Sequence, residues 1–169
     1  MTHFIAHRIN TLAELKALPK EFGVELDLRD SSEDIILQHD PFIEGEKFID
    51  YIAHYQHGTM ILNIKSERIE HRVLELLEKY NITDYFFLDS SIPMINLLSS
   101  IGEKKSAIRF SEIESIETVM LMADKVDWVW VDCFSKLPID QESYQRLKQA
   151  GLKLCLVSPE LQGRAEDIP

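Results

Sequence analysis

The stretch GVELDLRD, residues 23–30, carries the side chains with the most obvious chemistry in the chain. Glu25, Asp27 and Arg29 occupy alternate positions, with apolar residues between them, as expected for a strand with one polar face. If that face meets water, the pattern says little. If it faces a cleft or the inside of a barrel, two carboxylates two residues apart form a candidate site for a hard cation such as Mg²⁺ or Ca²⁺.

Further reactive residue types stand near the ends of other predicted strands. In parallel α/β folds such ends carry the site residues. Four pairs and two single residues at these ends could bind a metal, transfer a proton or hold a phosphate. The pairs are His7 with Arg8, His39 with Asp40, Asn63 with Lys65, and Arg109 with Glu112, and the single residues are Asp89 and Asp132. Strand ends also lie at the surface, and this alone would explain Asp89, Asp132 and Ser158.

The elements that must position these residues follow from hydrophobic periodicity. Strands are predicted at 4–7, 23–30, 34–40, 59–65, 84–90, 106–113, 126–134 and 152–158. Helices are predicted at 11–19, 46–55, 68–81, 91–102, 114–125 and 140–151. Thr11 and Glu14 have the spacing of a capping box, and Gly151 is a typical helix stop. This alternation of strands and helices is typical of βαβ units in a parallel sheet.

About seven β/α steps predict a (β/α)8 TIM-barrel-like fold that is incomplete, in one domain over residues 1–169. A complete barrel usually needs about 250 residues, and this chain has 169. The last predicted strand, 152–158, is followed by neither a helix nor a further strand, so the sequence indicates a barrel truncated at its C-terminal side. Unpaired sheet edges would favour a homodimer.

Composition excludes several classes of function. The formal net charge of −11 argues against binding to nucleic acid or anionic membranes. No segment reaches the ~20 apolar residues of a membrane span, and no signal peptide is evident, so a cytoplasmic location is expected. The two cysteines, Cys133 and Cys155, lie in apolar stretches and are expected to be reduced and buried.

Together these residues resemble the glycerophosphodiester phosphodiesterase family. The resemblance rests on "FIAHRINTLAEL", "FGVELDLRDSSEDIILQHDP" and "ILNIK". The first two stretches match the family's His-Arg, Asn-Thr, Glu-x-Asp and His-Asp motifs in order, and Lys65 in the third matches the lysine of its Glu-x-Lys motif. It covers roughly the first 65 residues. The resemblance implies a barrel of the phosphatidylinositol-phospholipase-C-like kind, a small-molecule phosphodiester as substrate, and a role in lipid metabolism.

The resemblance also implies roles for individual residues. His7 and His39 would be the acid and base, and Arg8 and Lys65 would bind the phosphate. Glu25, Asp27 and Asn63 would hold a divalent metal, Mg²⁺ or Ca²⁺. The expected reaction is metal-assisted hydrolysis, with attack by the substrate's own hydroxyl as in the family. The sequence does not assign which histidine is the acid.

Three departures from the family pattern stand out. Asn63 replaces an acidic ligand, which lowers the expected metal affinity, although Glu67 could substitute. Ile9 replaces a glycine, so the loop geometry is in question. The family's C-terminal tryptophan has no counterpart, and Trp128 and Trp130 are expected to pack.

Alternative roles remain open at each position. The carboxylates could form ion pairs with Arg29 and Lys65, and the histidines could bond to the backbone. The second functional hypothesis is a weakened barrel that binds a phosphorylated ligand or a protein without turnover.

Overall fold

The computed structural model describes residues 2–167. These residues divide into two compact units, residues 2–91 and 92–167. The prediction of a single domain over 1–169 therefore stays a prediction. None of the helices in the described part of the chain is long and apolar enough to cross a membrane.

The first unit contains a six-stranded sheet and three helices. Its elements, in chain order, are β1 Ile5–Ala6, α1 Leu12–Ala17, β2 Gly23–Ser31, β3 Asp34–Leu37, β4 Glu46–Lys47, α2 Phe48–Ile52, β5 Met60–Ile64, α3 Glu70–Lys79 and β6 Tyr85–Leu88. The order across the sheet is β4-β3-β2-β5-β6, and β1 pairs with β2. The β1–β2, β2–β5 and β5–β6 pairs are parallel. The β2–β3 and β3–β4 pairs are antiparallel.

The second unit contains a three-stranded parallel sheet, ordered β7-β8-β9. Its elements are α4 Ile92–Ser100, β7 Ala107–Phe110, α5 Ile116–Met122, β8 Trp128–Val131, α6 Gln141–Gln149 and β9 Lys153–Leu156, followed by 3₁₀ turns at Pro159–Gln162 and Ala165–Asp167. Its core combines Val129 and Val131 of β8 with Val119 of α5 and Leu147 of α6. Of the two cysteines, Cys133 is buried as predicted, whereas Cys155 is only half-buried.

Seven strands (β1, β2 and β5–β9) take part in parallel pairing, which agrees with the predicted number of β/α steps. The described strands form two sheets rather than one closed ring, as expected of an incomplete barrel. Strand β2 is buried on both faces at positions 23 to 28, so its polar residues as well as its apolar ones lie inside the unit. The carboxylates of this strand therefore do not face open water.

Two local predictions are corrected by the structure. Residues 46–55 were expected to form one helix, but Glu46 and Lys47 pair with β3 and the helix covers only Phe48–Ile52. Lys47 has extended backbone angles and forms an ion pair with Asp34, 2.8 Å from Nζ to Oδ2. Strand 34–40 ends at Leu37, and the sequence pattern did not reveal that it runs antiparallel to β2.

Candidate active site

The two carboxylates of β2 lie side by side on one buried face. Glu25 and Asp27 have relative exposures of 1% and 0%. Asp27 is in register with Asn63 of β5, the neighbouring parallel strand. The Asn63 amide donates from Nδ2 to Glu25 Oε1 at 2.8 Å. The three residues predicted to hold a metal are therefore adjacent, although they are separated by up to 38 positions along the chain.

The loop after β1 brings His7 and Arg8 to this pair. The Arg8 backbone N–H donates to Glu25 Oε2 at 2.8 Å, and the Ile9 N–H donates to the Glu25 carbonyl oxygen at 2.9 Å. His7 Nε2 lies 3.7 Å from Glu25 Oε2. Glu25 thus fixes the loop through its backbone and its side chain, and it places the imidazole beside a carboxylate.

The left-handed residue of this loop is Arg8, with φ of 55°. Ile9, which stands where the resembling family has glycine, is not among the residues with positive φ in the described chain. The position of Ile9 therefore does not need glycine's conformational freedom. A non-glycine residue in this region is strained, and such residues are enriched at functional sites.

Asn10 has a role that the sequence reasoning missed. Its Nδ2 donates to Asp27 Oδ2, and its Oδ1 accepts the Asp27 backbone N–H, both at 2.8 Å. This two-point contact fixes the Asp27 carboxylate. The signal in the sequence was the Asn-Thr pair that opens α1, where Thr11 caps the helix in the predicted capping box with Glu14.

His39 reaches the same region through the β2–β3 hairpin. Leu37 pairs with Leu28, and the next backbone N–H, that of Gln38, donates to the Asp27 carbonyl oxygen at 3.0 Å. Arg29 Nη2 donates to the His39 carbonyl oxygen at 3.0 Å. His39 is therefore positioned by the return of a hairpin to the level of Asp27, and not by the end of a parallel strand.

The His39 ring contacts the neighbouring Asp40, with 2.7 Å between Nδ1 and Oδ1. This hydrogen bond is the main reason why the pKa of Asp40 lies below its usual range, and the charges of His39, Arg8 and Arg29 lower that pKa further. An ionised Asp40 favours, for a neutral imidazole, the tautomer that carries its proton on Nδ1.

Lysine and arginine side chains surround Asp27. Lys65 Nζ lies 3.4 Å from Asp27 Oδ1 and 3.8 Å from Asp89 Oδ2. Arg8 Nε lies 4.0 Å from Asp27 Oδ2. Asp89, which sequence reasoning treated as an ordinary surface residue, is therefore part of the cluster, and it too has a positive φ, of 62°.

The electrostatics of the cluster show the cost of burying two acids together. Burial raises the pKa of Glu25, and the nearby Asp27 charge raises it further. His7, the Asn63 amide and the Arg8 N–H act in the opposite direction. Two buried oxygens, Asp27 Oδ1 and Asn63 Oδ1, accept no hydrogen bond. The side chains of the cluster thus use only part of its hydrogen-bonding capacity.

These unpartnered oxygens provide a test of the predicted metal. Carboxylate and amide oxygens are the donors that Mg²⁺ and Ca²⁺ take, and the two orphaned atoms belong to residues paired across β2 and β5. The residues present therefore fit a hard divalent cation. No group of three or more His, Cys, Asp or Glu residues with metal-binding geometry occurs within residues 2–167. Glu67, the alternative ligand considered in place of Asn63, is exposed, whereas Asn63 is buried.

The second unit has a polar cluster of its own, around Asp132. The Asp132 carboxylate accepts hydrogen bonds from Arg109 Nη1, Trp130 Nε1, the Cys133 N–H and Gln162 Nε2, at 2.7–3.2 Å. Both oxygens are thus occupied. Trp130 is buried, and the Arg109 guanidinium lies 6.0 Å from the centre of its ring, which agrees with a packing role.

Comparison of the sequence with models of protein families gives no match, and no curated protein matches it. Solved structures do resemble it. One is a glycerophosphodiester phosphodiesterase from Agrobacterium tumefaciens, with 16% identity and a TM-score of 0.70, covering 92% of this chain and 86% of the other.

A second similar structure is a phosphodiesterase from Oleispira antarctica in complex with the product sn-glycerol-3-phosphate, with 17% identity and a TM-score of 0.70, covering 93% of this chain and 84% of the other. At these identities the likeness establishes the fold. The predicted TIM-barrel-like fold of the glycerophosphodiester phosphodiesterases is confirmed.

Proposed function

We propose that the chain catalyses metal-assisted hydrolysis of a glycerophosphodiester-like phosphodiester, with His7 and His39 as acid and base. One observation carries the proposal: residues of three separate motifs, His7 with Arg8, Glu25 with Asp27, and Asn63 with Lys65, meet in one cluster. Solved structures with the same fold include a phosphodiesterase with bound sn-glycerol-3-phosphate, which supports this substrate class.

Phosphate binding is assigned to Arg8 and Lys65. The Arg8 side chain is 52% exposed, so it is accessible to a ligand, and its backbone is held at Glu25. Lys65 is 18% exposed and points to Asp27 and Asp89. Cations fixed in advance beside the phosphoryl oxygens stabilise the charge that develops there in the transition state.

Glu25, Asp27 and Asn63 would hold the divalent metal, Mg²⁺ or Ca²⁺. When bound, such an ion acts as a Lewis acid that lowers the energy of charge on the phosphoryl oxygens. Because Asn63 contributes no charge, we expect weaker binding than a site with three carboxylates would give. The unpartnered Asp27 Oδ1 and Asn63 Oδ1 are the atoms that support this assignment.

The histidines move the protons. A hydroxyl of the substrate, or water, attacks phosphorus; the new P–O bond forms as the bond to the leaving alcohol breaks. Where the hydroxyl of the substrate attacks, the product of this step is a cyclic phosphate, and water then opens the ring to give the phosphate monoester. One histidine accepts the proton of the attacking hydroxyl, and the other donates a proton to the leaving oxygen. With its Nδ1 proton directed to Asp40, neutral His39 has an unprotonated Nε2, as a base requires. His7, whose Nε2 lies 3.7 Å from Glu25 Oε2, is then assigned the role of the acid.

The test is hydrolysis of glycerophosphocholine by the wild type with Mg²⁺ or Ca²⁺, compared with His7→Ala and His39→Ala. We expect each variant to lose about 10²–10⁴-fold in kcat. His71→Ala is the matched control, because His71 is exposed on α3. Full activity in His7→Ala would contradict the proposal. Binding of glycerol phosphate without turnover would instead support the second hypothesis, the barrel that only binds.

Metal binding needs its own readout. Titration with Mg²⁺ or Ca²⁺ should raise the melting temperature of the wild type, since a ligand that binds only the native state stabilises it. Asp27→Asn should abolish that shift, and Asn63→Glu should enlarge it. An equal shift in all three proteins would place the cation elsewhere. The cytoplasmic location, the homodimer and the absence of nucleic-acid binding stay predictions from the sequence.

A further inference from the structure

Glu70, the first residue of α3, is a buried carboxylate that the mechanism above does not use. Its relative exposure is 1%. Ser90 Oγ donates to Glu70 Oε1 at 2.7 Å, and Ser90 is itself buried. Glutamate is almost never fully buried unless it is paired, so a glutamate in this position calls for an explanation.

The pairing of Glu70 is incomplete. Its second oxygen, Oε2, is buried and accepts no hydrogen bond within residues 2–167. The start of a helix lowers the cost of a carboxylate, because the positive end of the helix dipole lies there. The carboxylate is thus tied to Ser90 through one oxygen, at a cost that its position reduces.

The bond between Glu70 and Ser90 joins two loops of the first unit. Lys65 directly follows β5, and Glu70 opens α3 five residues later. Asp89 and Ser90 directly follow β6. Since β5 and β6 are adjacent and parallel, their carboxyl ends meet at one edge of the sheet, where sites form in α/β folds. The bond therefore links the loops that carry Lys65 and Asp89.

Asp89 connects this bond to the candidate active site. Its Oδ2 lies 3.8 Å from Lys65 Nζ, which lies 3.4 Å from Asp27 Oδ1. Asp89 also has a φ of 62°, and such a backbone conformation persists only where the surrounding structure holds it. The hydrogen bond of the next residue, Ser90, to Glu70 is a contact that holds it.

The same two strands are tied at their amino ends by a bond of the same kind. Thr59, which is buried, donates from Oγ1 to Asp84 Oδ2 at 2.9 Å. Thr59 directly precedes β5, and Asp84 directly precedes β6. In parallel barrels the amino ends of the strands contribute to stability and the carboxyl ends to the site. The Thr59 bond is therefore the structural counterpart against which the Glu70 bond can be judged.

We propose that Glu70 is a positioning residue, which holds Asp89 through Ser90 and so fixes the Lys65 ammonium where the phosphate binds. This inference rests on the proposed function, since it assigns a further residue to the same site. A lysine has a long, flexible side chain. Ordering it in advance removes an entropic cost from binding and from the transition state.

The kinetic test deletes one buried hydroxyl at each end of the strands and measures kcat/KM for glycerophosphocholine per folded molecule. Ser90→Ala should lower kcat/KM about tenfold, as the loss of residues that orient a site group does. Thr59→Val is the matched control and should lower the melting temperature but not kcat/KM. Glu70→Gln keeps an acceptor for Ser90 and should retain kcat/KM, whereas Glu70→Leu should behave like Ser90→Ala.

A double-mutant cycle shows whether the effect passes through Lys65. If Ser90 acts by placing the Lys65 ammonium, Ser90→Ala should have no further effect on kcat/KM in a Lys65→Met background. A loss of the same size in both backgrounds would overturn the inference. Equal losses in Ser90→Ala and Thr59→Val would do so as well, because they would identify the bond as a purely structural tie.

A second measurement is independent of turnover. Calorimetric titration with sn-glycerol-3-phosphate should show binding about tenfold weaker to Ser90→Ala than to the wild type, with Thr59→Val like the wild type. In the Lys65→Met background, Ser90→Ala should not weaken binding further. Equal binding to the wild type and Ser90→Ala would contradict the positioning role.

The positioning role and the proposed chemistry can fail separately. Hydrolysis that is insensitive to Ser90→Ala would leave the phosphodiesterase intact and overturn the role of Glu70. Binding of sn-glycerol-3-phosphate that depends on Ser90, without hydrolysis of the diester, would support that role and contradict the proposed chemistry. A wild type that neither hydrolyses the diester nor binds sn-glycerol-3-phosphate would overturn both.

Discussion

Asp27 in β2 of the first unit and Asp132 directly after β8 of the second are both buried carboxylates beside a cation, and they differ in how completely they are hydrogen-bonded. Four donors from within its own unit occupy Asp132. Asp27 Oδ2 accepts a hydrogen bond from Asn10. Asp27 Oδ1 accepts none, and its nearby cation is the Lys65 ammonium, with Nζ 3.4 Å away.

This difference separates a structural carboxylate from a candidate functional one. Buried polar atoms are nearly always paired, because leaving one unpaired costs stability. A saturated carboxylate such as Asp132 has no capacity left for a ligand. An unsaturated one such as Asp27 lowers stability, which is expected where a site is shaped for something outside the chain.

Glu25 and Glu112 show the same contrast in their pKa values. Burial and the Asp27 charge raise the pKa of Glu25. The backbone N–H of Ser135, together with other hydrogen bonds, lowers the pKa of Glu112 to about 2. The environment in the first unit disfavours ionisation of Glu25, whereas the second unit uses the ionised Glu112 to fix the loop after β8.

The largest expected difference concerns the two arginines. Arg8→Ala should lower kcat/KM for glycerophosphocholine by about 10²–10³-fold, because it removes a cation from the phosphoryl oxygens. Arg109→Ala should leave kcat/KM within a few-fold and lower the melting temperature, because Arg109 pairs with the saturated Asp132. Steady-state kinetics and thermal unfolding of both variants check this, and equal loss of kcat/KM would remove the distinction between the units.

The next difference is in the free energy of unfolding. Asp132→Asn should lower it by about 2–4 kcal/mol, because the new amide would face at least one of the four donors. Asp27→Asn should stay within about 1 kcal/mol of the wild type, because its carbonyl can still accept from Asn10 and the repulsion with Glu25 is relieved. Urea titrations measure both values. A larger loss in Asp27→Asn would identify Asp27 as structural.

The Asn10→Ala variant removes the two hydrogen bonds that hold Asp27 and therefore tests whether the orientation of Asp27 matters. Loss of the two-point contact should lower kcat/KM by about 10–100-fold and weaken metal binding, as outer residues do when they orient a ligand. Asn10→Asp is the conservative partner, which keeps an acceptor for the Asp27 N–H and places a second charge beside Asp27. Unchanged metal-dependent stabilisation in Asn10→Ala would show that Asn10 does not position Asp27.

The smallest effects are in the pH dependence of stability. Since the native pKa of Glu25 is raised, the native state binds its proton more tightly. Its contribution to stability therefore falls as pH rises above about 4.5. Glu25→Gln should remove that fall. Since the pKa of Glu112 is lowered to about 2, its contribution is present above pH 4.5 and is lost as pH falls toward 2.

Urea titrations across this pH range, on Glu25→Gln and Glu112→Gln, give the two slopes. Relative to the wild type, the slope of unfolding free energy against pH should increase in one variant and decrease in the other. The same sign in both variants would contradict the electrostatic difference between the two units.

The sequence could reveal whatever depended on local pattern. The capping box of Thr11 and Glu14 and the glycine stop at Gly151 were visible in short windows. The carboxylates of β2 could be found because their alternation with apolar residues is a local property. The same applies to the number of parallel strands, which follows from the rhythm of apolar runs.

Features that depend on pairing between segments distant along the chain could not be predicted from the sequence. The hairpin that returns His39 to the level of Asp27 depends on strand direction, which periodicity does not encode. The Asn10–Asp27 contact joins positions 17 apart through side chains. Likewise, the loop after β1 is hydrogen-bonded to the distant Glu25, and in that loop Arg8, not Ile9, has the left-handed conformation. A local sequence pattern does not reveal this.

The most direct test of the account is a phosphorus NMR time course of glycerophosphocholine with the wild type, Asp27→Asn and Asp132→Asn, each normalised to its folded fraction. We predict conversion of the diester signal by the wild type and by Asp132→Asn at similar rates, and none by Asp27→Asn. A wild type that leaves the diester signal unchanged, or an Asp27→Asn variant as active as Asp132→Asn, would contradict the claim that the strand ends of the first unit form a phosphodiesterase centre.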